Sequence, residues 1–164
     1  MKNESRDRQH FLTIVRKFKT AILVTHGSNS EFHARPMEIA EIEDSGDIYF
    51  STSATSPKID EISAEPNSLI VLQSENQFAA IKGTATVTRD TATIARLWSE
   101  DWRVWFPKGK DDPSLRLIHF RAQAAEFWDR GGIKALAFAF KAAVSVAGGT
   151  TPEVSDDMNA KIKL

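Results

Sequence analysis

The chain has 164 residues, 41% hydrophobic and 26% charged, with a formal net charge of −1, which predicts one globular domain spanning residues 1–164. The near-zero charge excludes a broad attraction to nucleic-acid polymers or anionic membranes, and the absence of cysteine excludes disulfides, thiolate chemistry and cysteine zinc sites. No apolar run reaches membrane-span length and the opening M-K-N-E-S-R-D-R-Q-H lacks a signal-peptide core, so a cytoplasmic location is expected by elimination.

Phe11, Ile14, Val15 and Phe18 recur at helical spacing and predict an amphipathic helix over about residues 5–19. Ala21 to Thr25 is a β-rich apolar run closed by the turn residues His26-Gly27-Ser28-Asn29-Ser30. His33 to Glu43 drifts into alternation, Asp44-Ser45-Gly46-Asp47 turns it, and Ile48 to Thr52 returns as the second arm of a hairpin. A short helix follows Ser56, carries Ile59 and Ile62 inward and ends at Glu65-Pro66-Asn67. Ser68–Gln73 and Gln77–Arg89 read as strands, with Gly83 marking a bulge or a close backbone approach.

Asp90 is placed to cap a further helix whose one face would carry Ile94, Leu97, Trp98, Trp102 and Trp105. Phe106-Pro107-Lys108-Gly109 ends it, and Leu115–Arg121 and Ala124–Trp128 predict the last two strands. Beyond Gly131-Gly132, an apolar stripe from Ile133 to Val144 predicts a final helix over Ile133–Ala147, stopped by Gly148-Gly149 and followed by a polar, loosely held tail to Leu164. Six or seven strands joined mostly by hairpins predict an α+β fold: an antiparallel, barrel-like sheet with flanking helices.

One stretch stands out chemically. Five of the six residues from Ser51 to Ser56 carry a hydroxyl, at the point where a strand gives way to a helix. Ser56 suits an N-cap and Pro57 the first helical position. Lys58 then puts a cation against the positive end of the helix dipole, where an acid is preferred. An anion would explain it, since hydroxyls, free backbone N–H groups and an ammonium together form a phosphate cradle; a solvated surface lysine would explain it as well. If the hairpin turns near Ser45-Gly46, Arg35 lies opposite about Ser56 and Met37 near Ala54, which brings Arg35 and Lys58 to one mouth.

Other constellations are weaker. His10, His26, His33 and His119 show no metal-ligand spacing, and no G-x-G-x-x-G, Walker or G-x-S-x-G sequence occurs. Glu41, Glu43 and Asp44 fit a solvated hairpin face. Three tryptophans within eight residues exceed what a small core hides easily, because each indole N–H needs a partner. They suit core packing, a subunit interface or a wall for a planar ring.

The ordered set A-R-P-M (34–37), I-Y-F-S-T-S-A-T-S-P-K-I-D-E-I (48–62), I-K-G-T-A-T-V (81–87), L-W (97–98), W-F-P-K-G-K-D-D-P-S-L (105–115) and A-E-F-W-D (125–129) resembles the general stress protein 26-like branch of the pyridoxamine 5′-phosphate oxidase superfamily. The resemblance implies a split β-barrel of six to seven strands that binds FMN at a homodimer interface. It implies that Arg35, Pro36 and Met37 lie on the flavin side, that Ser51, Thr52, Ser53, Ser56 and Lys58 surround the ribityl chain and phosphate, and that Phe50 also binds the cofactor. Gln77, Trp105 and Phe106 would come from the partner subunit. The sequence departs from true pyridoxamine-phosphate oxidases where their C-terminal substrate motif should fall, so oxidation of vitamin B6 phosphates is not implied.

Three readings of function follow. The first is a flavin-dependent oxidoreductase that draws electrons from NAD(P)H or another small reductant. The second is a stress protein that senses a flavin or nucleotide without turnover. The third is a related split barrel holding a deazaflavin or haem, with His119 as the one strand histidine available.

Overall fold

The computed structural model describes residues 2–27, 29–129 and 159–164. Within them, strands β1 (Thr20–His26), β2 (Phe32–Ile42), β3 (Ile48–Ser53), β4 (Asn67–Gln73), β5 (Gln77–Thr88), β6 (Leu115–Asp129) and β7 (Asn159–Lys163) form one antiparallel sheet. Its order is β3-β2-β1-β4-β5-β6-β7, and β3 also pairs with β6, so six strands close into a barrel. Strand β6 is long enough to serve two partners on one edge: Leu115–Phe120 pair with β3, and Ala124–Trp128 pair with β7.

Period-2 burial makes the barrel. Ala21, Leu23 and Thr25 of β1, Ile48 and Phe50 of β3, Ile70 and Leu72 of β4, and Ala79 and Ile81 of β5 all point inward and are buried. Helix α1 (Lys2–Val15) closes one end with Phe11, Ile14 and Val15, packed beside Phe127 and Ile162. Helix α2 (Lys58–Ala64) covers the other end and buries Ile62. A satellite core of Ile94, Trp102, Phe106, Leu115 and Leu117 lies outside the barrel, under helix α3 (Thr91–Leu97) and a 3-10 turn at Glu100–Val104.

Gly83 answers both readings of its position at once. The β5–β6 register shifts between Lys82, paired with Ala124, and Gly83, paired with Ala122. The extra residue on β6 is Gln123, and it switches inward parity from Ile118, Phe120 and Ala122 to Ala125 and Phe127. The stretch Leu115–Trp128 is therefore one bent strand where the sequence suggested two.

Four other expectations need correction. The tryptophan helix is two elements, because Trp98 leaves helical geometry (ψ 127°) and Ser99 caps a new turn through Asp101 N. The β2–β3 pairing runs one residue off the expected register, with Ile42 opposite Ile48, and stops at Ile39–Phe50 after a bulge. Arg35 pairs with Leu23 of β1 and does not lie opposite Ser56 across the hairpin, although it does come to the same mouth as Lys58. The end of the tail is not loose, since Asn159–Lys163 add β7 to the sheet. The expected helix over Ile133–Ala147 lies outside the described residues.

Candidate functional site

The α2 mouth of the barrel gathers the hydroxyl-rich end of β3, the last residues of β1 and the first of β2. Lys58, the first residue of α2, reaches back over β3. Its ammonium donates to Ser56 Oγ at 2.6 Å and to Thr52 Oγ1 at 3.2 Å. Both partners are neutral hydroxyls, and Thr52 is buried. Burial lowers the Lys58 pKa below its ordinary value, the nearby Arg35 charge lowers it further, and Glu61 opposes them.

Pro57, not Ser56, takes the N-cap position of α2, so no side chain caps the helix, and the Ser56 hydroxyl accepts from Lys58. Three N–H groups at the start of the helix are used locally: Ile59 N donates to Ser56 O, and Asp60 N and Glu61 N to Pro57 O. Side chains, not a helix terminus, supply the polarity of this corner. The corner itself is pinned from outside. Ser56 N donates to Ser53 O at 3.0 Å and Ala54 N to Ser114 O at 2.7 Å. Ser114 is in turn held by the buried Asp112, whose Oδ1 accepts from Ser114 N at 2.9 Å and Ser114 Oγ at 2.7 Å.

Arg35 lies beside this corner in a second network. Its Nη2 donates to Glu61 Oε1 at 2.6 Å and its Nη1 to Thr25 Oγ1 at 2.9 Å. Thr25, wholly buried, donates in turn to Glu61 Oε2 at 2.6 Å, and His33 Nδ1 bonds Glu61 Oε1 at 2.7 Å. Burial alone would raise the Glu61 carboxyl, but hydrogen bonds from Arg35, Thr25 and His33 outweigh it and hold the pKa down to about 2. Glu61, Thr25 and His33 were missed in the sequence. The signals were a carboxylate one helical turn after Lys58 and a polar residue at an inward position of an apolar strand.

The other expected site residues scatter. Met37 and Phe50 are core residues, and Pro36 is exposed on the outer wall opposite Ile22. Ser51 and Ser53 alternate with the inward-facing Thr52, and Ser53 Oγ bonds Thr55 Oγ1 at 3.1 Å. Gln77 begins β5 at the α1 end of the barrel, where its amide donates to Asp129 Oδ1 at 3.2 Å. Phe106 is buried in the satellite core, whereas Trp105 is 75% exposed. His119 sits on the outer wall, stacked on Tyr49 at 4.5 Å and bonded to Asp47 Oδ2 at 2.9 Å, away from the mouth.

The sequence profile of the family described as pyridoxamine 5′-phosphate oxidase like matches residues 6–153. No curated protein matches the chain significantly. Among solved structures, the general stress FMN/FAD binding protein of Xanthomonas citri is similar at 29% identity and a TM-score of 0.67, over 80% of this chain and 92% of that one. A protein of Xanthomonas campestris assigned to the general stress family is similar at 31% identity and a TM-score of 0.67, over 78% and 90%. A pyridoxamine 5′-phosphate oxidase-related, FMN binding protein of Nostoc punctiforme shares the fold at 17% identity and a TM-score of 0.64, over 95% and 93%.

Proposed function

This chain belongs to the pyridoxamine 5′-phosphate oxidase-like family, and from that premise we propose that it is a homodimeric general stress-type flavoprotein that binds FMN with the phosphate at Lys58. The observation that carries the reading is the Lys58 ammonium, part-buried at the barrel mouth and held by Ser56 and Thr52 hydroxyls with no carboxylate between them. That donor set fits a phosphate monoester: one cation flanked by hydroxyls that can turn to donate. Arg35 adds a second cation at the same mouth, fixed by Glu61 and Thr25.

Dimerisation is supported by what the single chain leaves exposed. Ile22 is 37% and Phe32 70% exposed on the outer wall, and Val104 and Trp105 project from the satellite core at 81% and 75%. Gln77 sits at the opposite end of its own barrel from Lys58, so it would reach a flavin phosphate corner only from a second protomer.

A bound flavin supplies hydride or electron transfer. The chain's own part is to bind and orient: Lys58 takes the anion, Ser56 and Thr52 fix the ammonium, and the Asp112–Ser114 clasp holds the corner in place. The electron source in this reading is NAD(P)H or another small reductant.

The test is direct. The purified protein should carry or take up FMN, seen as flavin absorbance and quenched flavin fluorescence; a protein that stays colourless in saturating FMN sinks the reading. NAD(P)H oxidation above the free-flavin background identifies an oxidoreductase. Binding with no such turnover identifies a flavin sensor.

A further inference from the structure

Two cations share the barrel mouth, and they are not equivalent. Arg35 has a carboxylate partner, Glu61, at 2.6 Å. Lys58 has hydroxyls. The same carboxylate sits one helical turn from Lys58 on α2, so its three bonds do two things at once. They fix the Arg35 guanidinium against β1 and β2, and they tie α2, with Lys58 at its start, to the barrel wall.

We infer that Glu61 is a positioning residue for the anion corner: clamped by Thr25, Arg35 and His33, it holds Arg35 as a charge-compensated donor and sets Lys58 over Thr52 and Ser56 as the counter-charge for the ligand's phosphate. The inference rests on the flavin reading for the identity of that ligand, and on this chain's own contacts for the rest.

The charged and titratable groups around the corner are few. Facing Lys58 are Arg35 from β2 and Glu61 from α2, with the hydroxyls of Thr52 and Ser56. Facing Glu61 are Arg35 and His33 from β2 and Thr25 from β1, and Glu31 approaches the far side of the His33 ring at 3.9 Å. Among the described residues, Glu61 is therefore the one negative group acting on the Lys58 ammonium. It favours the protonated form against burial and Arg35. Removing its charge must make Lys58 lose its proton at lower pH, an effect that loosened packing alone does not dictate.

The experiment has two readouts. In the first, FMN and riboflavin are titrated by fluorescence quenching against wild type, Glu61→Gln and Thr25→Val across neutral to alkaline pH. Glu61→Gln should weaken FMN by roughly tenfold or more at neutral pH, as the loss of charge-assisted hydrogen bonds predicts, and bring the alkaline loss of binding to lower pH. Thr25→Val keeps every charge, so it should weaken FMN less and leave that pH limb where it is.

In the second, which needs no flavin, the lysines are reductively 13C-methylated and the Lys58 signal, assigned with Lys58→Arg, is followed by NMR. It should titrate at lower pH in Glu61→Gln than in wild type. Wild-type FMN affinity or an unmoved Lys58 titration in Glu61→Gln overturns the inference. If that variant does not fold, Thr25→Val with wild-type FMN affinity overturns it. A wild type that ignores FMN while Lys58 still responds to Glu61 overturns the ligand and leaves the positioning role standing.

Discussion

Gly83 of β5 passes so close to Arg121 of β6 that a Cβ on Gly83 would lie 2.1 Å from the Arg121 carbonyl oxygen and 2.7 Å from Phe120 Cζ. Two backbones meet there with no room for a side chain. The contact coincides with the bulge at Gln123 that bends β6 and lets its first half pair with β3 and its second half with β7. Gly83→Ala must push the strands apart, because one of the clashing atoms is backbone and cannot rotate away. The expected cost is at least about 2 kcal/mol, at the upper end of overpacking effects. Urea denaturation would read it as a lower midpoint at unchanged slope; a wild-type midpoint would mean that the strands do not approach so closely.

Acid stability follows from Glu61. Its carboxyl is depressed in the folded state, from an ordinary 4.5 to about 2. A depressed acid stabilises the fold above its unfolded pKa and loses that contribution as pH falls through the folded value. Glu61 therefore supports the fold fully above about pH 5, and the contribution drains away between the two values as the carboxylate is protonated. Glu61→Gln should be less stable than wild type at pH 7 by about 3 kcal/mol, the scale for losing one partner of a buried ion pair. The gap should close as pH approaches 2. Melting temperatures of both proteins from pH 7 to pH 2 check the convergence; parallel curves would contradict it.

How much of this was readable beforehand depends on range. Strands such as Ala21–Thr25 and Ser68–Gln73 announced themselves as short apolar, β-rich runs closed by turn residues, and the alternation of their buried faces came only with the fold. Gly83 was readable because a lone glycine in a β-branched strand has few other uses. The tryptophan segment misled because Trp98, Trp102 and Trp105 keep helical spacing across a break, and only Ser99, an N-cap before two acids, marked the restart. Lys58 was legible as an odd charge. That Arg35 shares its mouth was read correctly by the wrong route, because the link arises through Glu61 and Thr25, which join α2 to β1 and β2 across the barrel mouth. The hairpin register that first brought the two cations together fails at the bulge between Ile39 and Glu41.

Lys58 offers a test that separates phosphate recognition from flavin recognition. Riboflavin carries the ring and ribityl chain of FMN but no phosphate. If Lys58 is the counter-charge, Lys58→Ala should weaken FMN by roughly tenfold or more, the loss expected for a charge-assisted hydrogen bond of about 1.5–3 kcal/mol. It should leave riboflavin affinity nearly unchanged. Equal losses for both ligands would place Lys58 against the ring instead. Raising the salt concentration should weaken FMN binding to wild type more than to the variant, since the screened charge is then the one removed.

Trp102 and Trp105 are three residues apart and should behave as opposites. Trp102 is 5% exposed, packs with Ile94, Phe106, Leu115 and Leu117, and meets the Trp98 ring edge-on at 5.9 Å. Trp105 is 75% exposed beside Val104 at 81%. Trp102→Ala empties the satellite core and should cost about 3–5 kcal/mol, in line with other buried aromatic deletions. Leu115 begins β6 opposite Ser53, so that loss should also loosen the end of β3 that carries the hydroxyl corner. Trp105→Ala removes a mostly exposed ring, so monomer stability should change by no more than about 0.5 kcal/mol. Its effect should appear between chains. Sedimentation equilibrium should give a weaker dimer, and flavin fluorescence should be less quenched at equal occupancy, if Trp105 covers the partner's ring. A Trp105→Ala protein with wild-type association and wild-type quenching would confine that side chain to the surface and remove it from the site.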